Sequence, residues 1–155
     1  STGGFTDVVL SLGAARVCAL DVGTNQLAWK LRQDPRVRSL EKTDIRQFSN
    51  ADYGPFDWVL ADISFNTLTR LAPAIWQAGN AGSQYLLLVK PQFELPSHEV
   101  PKGGVVVDPA LREKAVATAI AALEKAGFLI RARADLTISG RKGNWEVMLH
   151  LLRQR

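Results

Sequence analysis

A chain of 155 residues with 46% hydrophobic and 22% charged side chains is sized for one globular domain with an ordinary core, and a second domain does not fit. No apolar run approaches the roughly 20 residues that cross a bilayer, and the start, Ser1, is not followed by a charged and then apolar leader, which argues against a secretion signal. One cysteine, Cys18, excludes an internal disulfide framework, His98 and His150 stand too far apart for a zinc site, and a net charge of +4 suits a polyanionic partner, so a metal-free protein of the reducing cytoplasm is the expectation.

The elements alternate between helical and buried-strand patterns from one end to the other, without repeats. "GFTDVVLSLGA" spaces Phe5, Val8, Val9 and Leu12 as a helix does and stops at Gly13; "RVCALD" follows as a buried strand ending in an acid. "NQLAWKLRQ" reads as a short helix closed by Asp34-Pro35, "RVRSLE" as a strand, and "FDWVLADIS" as another buried strand ending in an acid. "TLTRLAPAIWQAG" is helical, with Pro73 near a distortion, and "QYLLLVKP" is a third buried strand. The loop "PQFELPSHEVPKGGVVVDP" has the length of a functional lid. "PALREKAVATAIAALEKAG" is an amphipathic helix between Pro109 and Gly127, and "FLIRARADL" and "WEVMLHLL" are closing strands. This order predicts an α/β fold with a mostly parallel sheet and helices on both faces.

In such sheets a ligand sits beyond the carboxyl ends of the strands. Asp21 follows "RVCAL", Asp44 follows "VRSLE", Asp62 follows "DWVLA" and Lys90 follows "YLLLV". One acid leaving a strand is often only solvated or capping, but four such groups at one edge form a pattern. An acid after the second strand of a nucleoside-binding domain accepts from ribose hydroxyls, the chemistry expected of Asp21. The Gly3-Gly4 pair lets backbone amides approach a ligand, and the helix start behind it favours a carboxylate. Neither G-x-G-x-x-G nor a P-loop occurs, so S-adenosylmethionine fits better than a pyrophosphate.

"STGGFT", "DVGTNQLAWKLRQDPRVRSLEKTDIR", "ADISF", "VKPQFE", "KGGVVVDP" and "KGNWEV" occur in the order in which similar segments run through the TlyA family, and the resemblance covers nearly the whole chain. That family consists of FtsJ-like ribosomal RNA 2′-O-methyltransferases with a Rossmann-like fold, called hemolysins in older usage, and carries an N-terminal S4-type RNA-binding domain. The resemblance implies a methyltransferase domain over 1–155 that starts inside the S-adenosylmethionine loop, with the first strand and the S4 domain not in this chain. It implies a cofactor set of Ser1, Thr2, Gly3, Gly4, Phe5, Thr6, Asp21, Val22, Asp44, Ile45 and Asp62, with Asp44 near the adenine amino group.

The family's catalytic set resembles a Lys-Asp-Lys-Glu tetrad, of which Asp62, Lys90 and Glu146 match the last three; the first lysine lies upstream in the family and has no counterpart here. A ribose hydroxyl is a poor nucleophile, so its proton must leave as the methyl arrives. Lys90 is the candidate base, a role that calls for a pKa of about 7 to 8. Asp62 and Glu146 would orient it, although carboxylates alone favour the ammonium form and the missing lysine would act the other way.

Arg46, Lys102, Arg141 and Lys142 sit on loops suited to phosphate contacts with ribosomal RNA or a ribosomal subunit. Trp29, Trp58 and Trp76 read as packing residues; Trp145 is the exception because it adjoins Glu146, and the family frequently has Arg there. Two rivals follow from the same residues and names: a small-molecule O-methyltransferase on this fold, and a non-enzymatic membrane-active hemolysin. The expected strand order, 3-2-1-4-5-7-6 with strand 1 absent, predicts that "RVCALD" and "FDWVLAD" each keep an unpaired inner edge, and that residues 1–155 alone bind cofactor weakly and transfer no methyl group.

Overall fold

The structure, a computed structural model, describes residues 1–136 and 143–153. It divides into two compact units, Ser1–Tyr53 and Gly54–Arg155. In the first, helix α1 (Gly4–Ser11) leads to strand β1 (Val17–Leu20), a single helical turn α2 (Trp29–Arg32) and strand β2 (Val37–Leu40), with a 3-10 turn at Ile45–Gln47 and a last turn α3 (Asn50–Tyr53). Strands β1 and β2 pair in parallel, Val17 opposite Val37 and Leu20 opposite Leu40. Leu10, Leu27 and Leu31 form the core of this unit, with Val17, Ala19, Ala28 and Val37 packed on it. α2 is shorter than the sequence predicts because only Leu31 of the turn is buried, so little packing rewards extending it.

The second unit runs β3 (Trp58–Ala61), α4 (Leu68–Ala78), β4 (Gln84–Val89), α5 (Pro91–Glu94), α6 (Pro109–Lys125), β5 (Phe128–Asp135) and β6 (Val147–Arg153). Its sheet has the order β3-β4-β6-β5. β3 and β4 are parallel, as predicted, but β6 is antiparallel to both β4 and β5, so this sheet is mixed rather than mostly parallel. The reason lies in the connection: only residues 136–146 join β5 to β6, fewer than the dozen or more that a crossover to a parallel neighbour takes, so the strand that returns beside its predecessor runs the other way. Among the described residues β1 has one ladder partner and β3 has one, so each leaves an edge outside any ladder, as the expected order requires.

The register explains the core of this unit. Tyr85, Leu87 and Val89 of β4 stand opposite Leu151, Leu149 and Val147 of β6, and the period of two puts all six on one buried face. Leu68, Leu71, Ala72, Ile75 and Ala78 supply the buried stripe of α4, while Ala115, Val116, Ala119 and Leu123 supply that of α6. The small Ala115 and Ala119 allow close packing, and each large side chain buried here contributes about 1.5–3 kcal/mol. Trp76 meets Phe128 edge-on, as the packing expectation required, but Trp29, Trp58 and Trp145 are exposed. Pro73 lies inside α4, and the carbonyls near its end are met by Tyr85 and Arg153.

Candidate active site

The strand ends of the second unit bring the three predicted catalytic groups to one place. Asp62 directly follows β3 and Lys90 directly follows β4, and because those strands are parallel both leave at the same edge. Pro91 at the first position of α5 turns the chain immediately after Lys90. Glu146 precedes β6; Val89 faces Val147, so one further step in the same register sets Glu146 across from Lys90. The Lys90 Nζ lies 2.5 Å from Asp62 Oδ1 and donates to Ser64 Oγ at 3.2 Å. The Lys90 side chain is 12% exposed and that of Asp62 43%, so a mostly buried cation ends on an accessible carboxylate. Glu146 is buried, and burial pushes its carboxyl above the ordinary range; the Lys90 charge pulls it back and the Asp62 charge adds to the rise. One ammonium between two carboxylates, one accessible and one desolvated, can hold a hydroxyl by hydrogen bonds and pass its proton among them.

Two further side chains, singled out by no sequence argument, tie the adjoining loops down. Glu94, at the end of α5, is buried and accepts from the amides of Leu68 at 2.6 Å and Thr69 at 3.4 Å and from Thr69 Oγ1 at 3.1 Å, which joins the loop after Lys90 to the start of α4. Burial raises its carboxyl, and those hydrogen bonds oppose the rise. Asn144 is 2% exposed; its Oδ1 accepts from the Val106 amide at 2.9 Å and its Nδ2 donates to the Gly104 carbonyl at 2.8 Å. It thereby holds the "KGGVVV" loop against the segment that carries Glu146. Gly103 and Gly104 have φ of 97° and 76°, a consecutive left-handed pair that side chains would strain. Both polar residues lie in segments already quoted, but nothing in the sequence tells a buried tie from an exposed polar group.

A cleft of about 490 Å³ opens beside these loops, lined among others by Phe65, Arg70, Gln92, Phe93 and Val100. Phe65, three residues after Asp62, is 93% exposed, has φ of 62° and leans on Phe93 with ring centres 5.5 Å apart. An aromatic residue held left-handed and in solvent costs free energy, and such strain collects at functional sites. The signal in the sequence was the aromatic residue directly after "ADIS".

Of the predicted cofactor residues of the first unit, Ser1 to Thr6 lie at the start of α1, while Asp21 and Val22 follow β1 and Asp44 and Ile45 come after β2. Gly3, with φ of 98°, sits where an added Cβ would come within 2.5 Å of Leu27 and Leu31, so only glycine fits that approach to the core. It caps α1 without a side chain, which leaves the first-turn amides around Gly4 and Phe5 open to an acceptor, while Thr6 is buried. The Thr2 carbonyl accepts from the Ala28 amide at 3.1 Å, and the Ser1 amino group binds the Asp21 carboxylate. Asp21, just after β1, also accepts from the Gly23 amide at 2.8 Å, and Val22 beside it is exposed. Open amides at a helix start, a glycine held close to the core and a carboxylate at a strand end are a donor and acceptor set that fits a nucleoside with an amino-acid tail. Asp44 has a different occupation: both its oxygens take the Arg46 guanidinium, at 2.9 and 2.6 Å, and that pairing with the Arg46 amide holds its carboxyl at about 2. Ile45 next to it is half-buried.

Arg46, expected on RNA, is thus committed to Asp44 in this structure, whereas Lys102 is exposed and makes no ion pair among the described residues. Arg141 and Lys142 lie outside the described residues.

Comparison with known proteins gives this arrangement a family. Residues 1–153 match the FtsJ-like methyltransferase family. The 16S/23S rRNA (cytidine-2′-O)-methyltransferase TlyA of Mycobacterium tuberculosis is 43% identical over 155 residues, which cover 99% of this chain and 58% of that protein. A solved structure from Lactococcus lactis, a hemolysin by provisional name, superposes with a TM-score of 0.94 at 37% identity and covers 99% of this chain and 74% of its own. An S-adenosylmethionine-dependent methyltransferase from Mesorhizobium loti shares the fold, with a TM-score of 0.66 at 15% identity over 98% of this chain and 87% of its own. The chain spans 54% to 64% of the length of its curated relatives. No helix among the described residues is long and apolar enough to cross a membrane. With a match from the first residue to within two of the last, and with Asp62, Lys90 and Glu146 at neighbouring strand ends, this chain belongs to the FtsJ-like methyltransferase family.

Proposed function

We propose that this domain methylates the 2′-hydroxyl of a nucleotide, a cytidine by analogy with the named relative, in ribosomal RNA, using S-adenosylmethionine. The observation that carries the reading is the Lys90–Asp62 pair at 2.5 Å with the buried Glu146 facing it across the sheet register. When bound, S-adenosylmethionine supplies an electrophilic methyl group on a sulfonium. The chain's own work would be to hold the hydroxyl and to take up, on the amine of Lys90, the proton that the oxygen gives up when it is methylated. Asp62 and Glu146 orient the amine, and the charge they share with it limits the cost of moving the proton. Gly3, Gly4 and the α1 amides would hold the amino-acid tail and Asp21 the ribose of the cofactor, and Asp44, paired with Arg46 in this structure, would lie near its base. Residues 1–155 act as one methyltransferase domain in this reading, in a protein that meets RNA through further contacts such as Lys102.

The test uses full-length protein, ribosomal subunits and S-adenosylmethionine labelled in its methyl group. Label should enter RNA and mark one nucleotide whose 3′ linkage resists alkaline hydrolysis, the signature of a blocked 2′-oxygen. Lys90→Met should fold and bind cofactor but lose at least about 100-fold in turnover, the lower range for removal of a general base. Label on a base rather than a ribose, or a Lys90→Met enzyme at near wild-type rate, would overturn the reading.

A further inference from the structure

Trp145 stands between two buried residues and is itself 49% exposed. Asn144 before it is fixed by its two backbone hydrogen bonds, and Glu146 after it is packed at the strand end, so the indole sits on a clamped backbone. Over its ring lies Arg112 of α6, with Cζ 4.8 Å from the ring centre. The neighbours of Arg112 are already engaged, Glu113 with Arg133 and Lys114 with Glu99, while Arg112 makes no ion pair among the described residues. The result is an exposed aromatic plane with a guanidinium laid on it that makes no close ion pair among the described residues, one residue from the candidate catalytic glutamate.

From this we infer that Trp145 and Arg112 form a stacking platform for an unpaired RNA nucleotide next to the one whose ribose is methylated, an inference that rests on the function proposed above. The chemistry suits that ligand: every base has a face that stacks on an indole or a guanidinium plane, and the free charge attracts the adjacent phosphate. Because the backbone on both sides is already ordered, the platform loses little freedom when a base lands on it. A protein partner would seek apolar surface around the indole, but what covers this one is a cation.

The test measures binding of a labelled single-stranded ribosomal RNA oligonucleotide containing the target cytidine, by anisotropy, to full-length wild-type protein and to Trp145→Ala, Trp145→Phe and Arg112→Ala. Trp145→Ala should weaken binding by about 5- to 100-fold, the range for loss of one stacked base, and Trp145→Phe should recover most of it. Arg112→Ala should weaken binding and lower the slope of log affinity against log salt by about one ion. In methylation assays the loss should fall on KM for RNA and leave KM for S-adenosylmethionine unchanged, with melting temperatures equal across the set. Equal binding by Trp145→Ala and wild type overturns the platform, as does a loss that Phe does not rescue and that comes with a lower melting temperature. Wild-type protein that binds the oligonucleotide but leaves ribose in ribosomal subunits unmethylated overturns the proposed function while the Trp145→Ala loss still shows an RNA stacking surface; wild-type protein that binds no RNA overturns the platform itself.

Discussion

Replacing Asn144 with Ala removes one side chain and strips two partners. The Val106 amide, on a residue 1% exposed, loses its acceptor. A buried N–H left so costs about 1–3 kcal/mol, and the lost bond to the half-buried Gly104 carbonyl adds up to about 1 kcal/mol. Against a domain stability of about 5–15 kcal/mol this is a large fraction, and at about 2–4 °C per kcal/mol for a chain of this size the melting temperature should fall by roughly 2–16 °C. Calorimetry reads that shift, and hydrogen exchange at the Val106 amide shows whether the loop has let go. Asn144→Asp separates the two bonds. The carboxylate still accepts from Val106, but it turns an oxygen toward the Gly104 carbonyl and can donate there only when protonated. Burial and that carbonyl raise its folded pKa above the unfolded value of about 3.9, so the bond it makes is present below that pH and is lost as pH rises. The advantage of the Asp variant over the Ala variant should therefore be largest in acid and shrink as pH rises. An Ala variant that melts within about 1 °C of wild type, or an Asp variant that gains stability as pH rises, would refute the accounting.

Asp21→Ala should weaken S-adenosylmethionine binding to the full-length protein by about 1–3 kcal/mol, the scale of a lost charged hydrogen bond, and unchanged affinity by calorimetry would remove Asp21 from the site. Glu146→Gln should abolish most turnover yet melt above wild type at pH 8. Burial raises the folded pKa of Glu146, so its ionisation costs the wild-type fold stability as pH rises. The advantage should shrink toward pH 4, where both states of the wild-type residue are protonated, and an advantage that grew in acid would contradict the assigned direction.

The sequence made the strands and the groups at their ends legible because both rest on local pattern. "DWVLAD" and "YLLLVK" carry apolar runs whose first polar residue marks the ligand edge, and Asp62 and Lys90 were found that way. Glu146 needed the family resemblance, since its place depends on β6 entering antiparallel between β4 and β5, a long-range choice that no window of residues contains. Glu94 and Asn144 escaped for a related reason. Their importance comes from burial against Leu68, Val106 and Gly104, segments distant in sequence, and an acid in "PQFE" looks the same on paper whether it caps a helix or faces water. The Arg46–Asp44 pair was not foreseen, because a basic residue two places after an acid folds back on it only when a 3-10 turn brings the two together.

The loops beside the candidate site hang on Glu94 and Asn144, whereas Lys90 and Glu146 grow out of a ladder six residue pairs long. Opening either loop breaks those side-chain bonds and uncovers the small apolar cluster of Leu95, Val106 and Ala115; parting β4 from β6 breaks the larger core. Low-energy local opening should therefore precede global unfolding on heating. An enzyme built this way has a temperature optimum below its melting point: catalysis fades while circular dichroism still reports an intact sheet, and it returns on cooling. Under the proposed function, the thermal ceiling of catalysis would follow the loops rather than the sheet, and engineering that only fills the core between β4 and β6 would raise the melting point without extending the working range.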